Sequence, residues 1–227
     1  MDIQSRLNRL TKIPAITYVN ILIALFAVGG SFYLFISLAE DVLEQEKFIV
    51  DQLGADFITS IQSPGLSKAM GWITELGSVT WLVIASLALS AIILYFYKQR
   101  IWRFVYFAIA MIGISLLTKV LKVTFSRKRP DILEQFDGTG FSFPSGHSTG
   151  PMVFYGFVIY LVSTSELSRG LKYVINGLLA LLIITIGFSR IYLGVHYVTD
   201  VVAGFSLGLF WLVVCILVLE YTLRRKP

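Results

Sequence analysis

Charged residues are scarce in this chain. They make up 15% of its 227 residues, whereas a soluble domain usually carries about a quarter. Hydrophobic residues reach 56% and the mean hydropathy is +0.76. This composition excludes an ordinary soluble domain and indicates a protein whose apolar segments lie in lipid.

Cysteine and histidine are almost absent as well. The single cysteine, Cys215, lies inside an apolar run and can form no internal disulfide. The two histidines are both needed for the chemistry below, which leaves no ligands for a His/Cys metal site. Asp131, Glu134 and Asp137 could bind a hard cation, but we interpret them as a solvated loop. We therefore predict neither a metal nor a cofactor.

Long basic blocks and linkers are missing too. The net charge is +5, yet no basic tail marks a nucleic-acid partner. No Pro/Gly/Ser-rich stretch divides the chain, so residues 1–227 are predicted to form one domain.

Long apolar runs are abundant. A membrane-spanning helix needs about 20 apolar residues, and six runs qualify: Ala15–Ala39, Ser78–Tyr97, Ile101–Phe125, Thr149–Ser163, Leu171–Phe188 and Val198–Leu223. The sequence thus predicts an all-α integral membrane protein with six transmembrane helices.

Basic residues between the runs predict the orientation. Under the positive-inside rule, cytoplasmic termini place most of them on the cytoplasmic side: Arg6, Arg9, Lys12, Lys98, Arg100, Arg103, Arg169, Lys172, Arg224, Arg225 and Lys226. Six others fall at the outer ends of spans and oppose the bias: Lys119, Lys122, Arg127, Lys128, Arg129 and Arg190. We expect a multi-pass protein of the cell membrane, with a separate reason for these outer cations.

The first outer loop, residues 46–77, has its own pattern. Apolar residues recur near helical spacing at Val50, Leu53, Phe57 and Ile61, while Asp51 and Asp56 are predicted to point elsewhere. Pro64-Gly65 breaks the pattern before a second apolar series. We predict two short helices lying on the outer leaflet.

The first polar motif is Lys122-x6-Arg129-Pro130. A spacing of seven residues is close to two helical turns, which predicts both cations on one helix face, with Pro130 ending the helix. Two such cations suit a dianion, and arginine can bind two of its oxygens. The alternative is a basic cluster that contacts lipid headgroups.

The second motif is Pro144-Ser145-Gly146-His147. Ser145 is a favourable N-cap for the next helix, and Gly146 lets the backbone approach a ligand closely. The N–H groups at such a helix start bind anions, with His147 beside them. The alternative is an ordinary capped helix with a spectator histidine.

The third motif is Ser189-Arg190-x5-His196-x3-Asp200. Gly194 breaks the fifth and sixth spans apart, and an i, i+4 relation predicts that His196 and Asp200 touch on one helix face. A carboxylate there fixes the imidazole tautomer, as in hydrolytic triads. The alternative is a structural His–Asp pair with Arg190 as a snorkelling anchor.

Together the three motifs, which span residues 122–200, map to one side of the membrane and contain both histidines. They resemble the three-part signature of the type-2 phosphatidic acid phosphatase family, with every signature position filled. Arg127 and Lys128 are extra to that pattern, and we assign them no catalytic role.

The resemblance implies residue roles. His196 is the expected nucleophile, Asp200 its acceptor, and His147 the general acid that later activates water. Lys122, Arg129 and Arg190, with the Ser145 hydroxyl and the Gly146 N–H, are expected to hold the phosphoryl oxygens. The site is expected on the extracytoplasmic face, acting on a membrane lipid phosphate.

Other functions stay open from the sequence. A transporter or scaffold also places polar residues in spans, although usually near the midplane. The vanadate-dependent haloperoxidases share the motifs but are soluble. Among lipid phosphates, phosphatidylglycerophosphate, phosphatidate and undecaprenyl pyrophosphate all fit, and a monomer could hold the whole site.

Overall fold

The protein was examined as a computed structural model, which describes residues 15–45, 48–130 and 140–225. Within these ranges the chain is all-helical, as predicted. The eight helices are α1 (Ala15–Leu43), α2 (Ile49–Ile61), α3 (Pro64–Glu75), α4 (Val79–Phe96), α5 (Arg100–Phe125), α6 (Gly146–Ser163), α7 (Arg169–Tyr192) and α8 (Val198–Arg225).

Five helices of the described part are long and apolar enough to cross a membrane: α1, α4, α5, α7 and α8. Each coincides with one of the predicted spans or contains it, since only α4 is shorter than its span, by one residue at each end. The remaining predicted span, Thr149–Ser163, lies in α6, which is not among the five. Its first turn is polar, because it carries His147, Ser148 and Thr149. The chain is a multi-pass membrane protein, and a sixth span stays a prediction.

Helices α6 and α8 form the centre of the bundle. α8 packs against α1, α5 and α6, and α6 also packs against α7. Val153 and Phe157 of α6 and Ala203 and Leu219 of α8 are fully buried. Outer helices instead expose large apolar side chains, such as Leu87 of α4. Contact between this apolar surface and water would cost free energy, so the surface is suited to contact with lipid.

The segment between α1 and α4 forms two short helices, as predicted. Asp51 points elsewhere than the apolar residues Leu53 and Phe57, also as predicted, but it is the carboxylate that is buried, with 9% of its surface exposed, whereas Leu53 and Phe57 are exposed. α2 therefore turns a carboxylate towards α8 and its apolar face outward. Pro64 occupies the first turn of α3, where its missing N–H costs no helical hydrogen bond.

Two local predictions about the motif helices also need correction. α5 ends at Phe125, where Ser126 takes a left-handed conformation with φ of 48°, so Pro130 does not end it and Arg129 does not share a helix face with Lys122. His196 precedes α8, which begins at Val198, so His196 and Asp200 touch without sharing a helix. Such ends depend on local backbone geometry that residue spacing does not encode.

Candidate active site

The three motifs meet at one end of the bundle. Lys122 lies in the last turn of α5, Arg190 in the last turn of α7, and Asp200 in the first turn of α8. His147 is the second residue of α6. Because successive helices from α5 to α8 run in opposite directions, these four helix ends lie together, on one side of the bundle as the motifs predicted.

The His196–Asp200 pair is the best-defined part of the site. His196 Nδ1 lies 3.2 Å from Asp200 Oδ2, and both side chains are almost completely buried. The same carboxylate oxygen accepts hydrogen bonds from the backbone N–H of Tyr197 at 2.9 Å and from the hydroxyl of Ser142. These donors favour ionised Asp200 and orient it towards the imidazole.

The other ring nitrogen of His196 faces the cations. Nε2 lies 3.3 Å from Nη1 of Arg129, and His196 lines a cavity together with Lys122, Arg129 and Arg190. His196 lies between α7 and α8, outside both spans. Burial lowers the pKa of its imidazole to about 4, although Asp200 opposes part of that shift. The imidazole is therefore neutral near pH 7, which is the nucleophilic form.

Backbone and side-chain contacts position the cations. Lys122 Nζ donates to the carbonyl of Phe141 at 2.6 Å, and Arg129 Nη1 donates to the carbonyl of Val195 at 2.9 Å. Arg190 is buried and donates from Nη1 to the hydroxyl of Thr74 at 2.9 Å. The short helix α3, which carries Thr74, therefore helps to hold one of the cations.

The turn before α6 brings the first residues of that helix to the cavity wall. The carbonyl of Ser145 accepts from the N–H of Ser148 and Thr149 at 3.1 and 3.0 Å. Gly146 and His147 precede these residues in the helix and both line the cavity. The N–H groups of such a first turn suit an anion.

Ser145 departs from its predicted capping role. It occupies the N-cap position, but its side chain makes no capping hydrogen bond. Its hydroxyl is buried without a hydrogen-bond partner among the described residues, and Ser145 is not among the residues that line the cavity. A Cβ at Gly204 of α8 would come within 2.8 Å of the Ser145 carbonyl, so glycine there allows α8 to pack directly on the turn.

The cavity itself is large and mostly apolar. Its volume is about 670 Å³. The two histidines line one part with Lys122, Arg129 and Arg190, and Lys119 also lies on the wall. The rest runs between α4 and α5 past residues such as Leu82, Ser86, Phe104, Ala108 and Met111. A polar end joined to an apolar channel suits an amphiphilic ligand.

Residues 103–224 match the PAP2 superfamily, a stretch that contains all three motifs and more than half of the chain. The chain belongs to the PAP2 superfamily. This confirms the family resemblance read from the motifs. Phosphatidylglycerophosphatase B of Bacillus subtilis is 38% identical over 154 residues, which cover 66% of this chain and 73% of that protein.

Further relatives agree with this family. Lipid phosphate phosphatase delta of Arabidopsis thaliana is 32% identical over 87 residues, or 36% of this chain and 21% of that protein. A solved transmembrane PAP2-type phosphatidylglycerolphosphate phosphatase from Bacillus subtilis superposes with a TM-score of 0.76 at 28% identity, covering 89% of this chain and 98% of that one. Aquifex aeolicus LpxE shares the fold, with a TM-score of 0.60 at 24% identity over 75% of this chain and 97% of that one.

Several residues around Asp200 were not predicted from the sequence. Arg127 donates to Asp200 Oδ1 at 2.6 Å and to Asp51 Oδ2 at 2.8 Å, and Ser142 contacts Asp200 Oδ2. The only sequence signal for Arg127 was its position among the outer cations. Asp131, Glu134 and Asp137, which we interpreted as a solvated loop, lie outside the described residues.

Proposed function

We propose that this chain is a membrane lipid phosphate phosphatase that acts through a phosphohistidine at His196 and needs no metal ion. The observation that carries the proposal is the orientation of His196. Asp200 occupies Nδ1 at 3.2 Å, which leaves Nε2 facing the cation-lined end of the cavity. The names of the Bacillus subtilis and Arabidopsis relatives support the same reaction class.

In the first step, Nε2 of neutral His196 attacks phosphorus, and the bond between phosphorus and the lipid oxygen breaks. His147 donates a proton to the departing oxygen. Asp200 stabilises the positive charge that develops on the His196 ring. In the second step, His147 takes a proton from water, the hydroxide attacks phosphorus, and inorganic phosphate leaves with His196 restored.

Protein cations take the part that a metal ion plays in other phosphatases. Lys122, Arg129 and Arg190 line this end of the cavity together with Gly146. We assign the three side chains and the Gly146 N–H to the phosphoryl oxygens. Fixed donors of this kind stabilise transition-state charge without reorganisation. We therefore expect chelators to leave the activity unchanged.

The apolar channel between α4 and α5 supports a lipid substrate. A phosphate held at the histidines places the apolar remainder of the molecule against residues such as Leu82, Phe104 and Met111. Phosphatidylglycerophosphate is the first candidate because of the relative's name, followed by phosphatidate and undecaprenyl pyrophosphate. The positive-inside pattern supports an extracytoplasmic position for this end of the bundle, which is part of the proposal.

Location at one end also argues against transport, since transporters bind their substrates near the bilayer midplane. The decisive experiment measures inorganic phosphate released from the three lipids by the detergent-purified protein, with EDTA present. We expect release by the wild type and none by His196→Ala. Equal activity of the two proteins, or loss of wild-type activity in EDTA, contradicts the proposal.

A further inference from the structure

Arg127 lies inside the first motif but outside its signature positions, and its side chain is directed at the catalytic carboxylate. Nη1 donates to Asp200 Oδ1 at 2.6 Å, and Nη2 donates to Asp51 Oδ2 at 2.8 Å. Only 16% of the Arg127 side chain is exposed. One guanidinium therefore bridges a carboxylate of the site and a carboxylate of the interfacial helix α2.

Two aromatic rings fix the plane of this guanidinium. Its central carbon lies 4.2 Å from the ring centroid of Tyr197 and 5.3 Å from that of Phe48. Both distances fall within the range of cation–π attraction. Tyr197 adjoins His196 in the chain, and Phe48 precedes α2. The stacking on Arg127 therefore joins the segment of the active site to the start of α2.

Asp51 makes the other half of the connection. Its Oδ1 accepts from the backbone N–H of Thr199 at 2.9 Å, and its Oδ2 accepts from the Thr199 hydroxyl at 2.7 Å. Thr199 lies in the first turn of α8, so Asp51 caps that helix from a different segment of the chain. A Cβ at Gly54 would overlap the side chain of Val198, which shows how closely α2 approaches this turn.

The consequence for Asp200 follows from its two oxygens. Oδ2 contacts the His196 ring and accepts hydrogen bonds from the Ser142 hydroxyl and the N–H of Tyr197. Oδ1 accepts a hydrogen bond from Arg127. A carboxylate held at both oxygens cannot rotate about its Cβ–Cγ bond without breaking a charge-assisted hydrogen bond. Arg127 thus keeps Oδ2 aimed at the imidazole.

We propose that Arg127 and Asp51 are positioning residues that hold Asp200 against His196 and make the seating of α2 part of the active-site assembly. The kinetic test of this inference rests on the proposed hydrolysis, whereas the test by hydrogen exchange does not. Neither residue contacts the phosphate in this account, so both act on the chemical step through Asp200.

The kinetic test is a double-mutant cycle. We expect Arg127→Ala to lower kcat about 10–100-fold with KM within about twofold. Arg127→Lys keeps the charge but lacks the two guanidinium nitrogens that bridge Asp200 and Asp51, so it should recover only part of the lost kcat. In an Asp200→Asn background the same Arg127→Ala change has little further effect, because the two residues act as a unit. Lys128→Ala, at the exposed neighbouring position, is the matched control and keeps full activity.

Hydrogen exchange supplies a readout that needs no turnover. In detergent, Arg127→Ala and Asp51→Asn should each increase deuterium uptake in residues 49–61 relative to wild type and Lys128→Ala. Unchanged uptake, or a kcat loss that persists in full in the Asp200→Asn background, overturns the inference. If the wild type hydrolyses no lipid, the proposed function fails, and the exchange comparison alone still decides the inference.

Discussion

His196 Nδ1 lies 3.2 Å from Asp200 Oδ2 across the junction between α7 and α8. Because this contact holds Nδ1, it fixes the orientation of the imidazole ring. Nε2 is therefore directed at Arg129 and the cavity. A histidine held in this way presents one defined nitrogen to a phosphorus atom. The following predictions depend on that relationship and on the surroundings of the pair.

Replacing the acceptor should remove catalysis while leaving binding intact. In Asp200→Asn, the neutral amide cannot stabilise the imidazolium charge that develops, so we expect kcat to fall about 10³–10⁴-fold, as in hydrolytic triads. KM should change little, because Asp200 does not line the cavity. Steady-state phosphate release measures both constants. Asp56→Asn, at an exposed position of α2, is the control, and a kcat within tenfold of wild type in Asp200→Asn would contradict the assigned role.

The pH profile should have an unusually low acid limb. Burial lowers the pKa of His196 from 6.5 to about 4, with Asp200 opposing the shift and Arg129 and Lys122 adding to it. Only the neutral ring is a nucleophile, so kcat/KM should stay level as the pH falls through 6.5 and drop as it approaches about 4. Burial lowers the pKa of His147 to about 2 in the free protein, and Arg190 and the other nearby cations add to the shift. The proton that His147 donates must therefore be taken up with the bound phosphate, so an alkaline limb should appear in kcat, which reports the complex, and not in kcat/KM. An acid limb centred at 6.5 or above in the free enzyme would show that His196 is not the buried nucleophile described here.

Filling the apolar channel should discriminate between substrates by chain length. Ala108 of α5 lines the cavity, and Ala108→Trp places an indole where we expect the lipid chain. We predict a rise in KM of about tenfold for long-chain lipid phosphates, equivalent to about 1.4 kcal/mol of binding. A short-chain, water-soluble phosphate ester should be hydrolysed as before. Ala88→Trp, on an exposed position of α4, is the matched control. If Ala108→Trp affects the long-chain and short-chain substrates equally, the lipid chain does not bind in this channel.

Five of the six predicted spans and the meeting of the motif residues could be predicted from the sequence because both depend on local signals. Hydropathy alone marked α4 to within a residue at each end, and both histidines stood out because the chain has two. The links among the motifs depended instead on tertiary packing. Arg127 and Asp51 are 76 residues apart, and no spacing rule relates an outer-loop helix to the first turn of α8.

Asp51 illustrates why patterns fail at such places. Read by periodicity, it belongs to the polar face of α2 and should meet water. In the structure Asp51 is buried while Asp56 stays exposed, because Arg127 and Thr199 offer Asp51 a cation and two donors that compensate for the lost solvent. Burial of a carboxylate is decided by its partners, and these come from other segments of the chain.

The most direct test of the central claim is to trap phosphate on His196. The protein is mixed with a radiolabelled lipid phosphate, quenched in alkali within milliseconds, and digested for mass spectrometry, since phosphohistidine survives alkali and not acid. We predict label on the peptide that contains His196 in the wild type, released by brief acid treatment and absent from His196→Ala. Label on another residue, or rapid hydrolysis by His196→Ala, would contradict the mechanism.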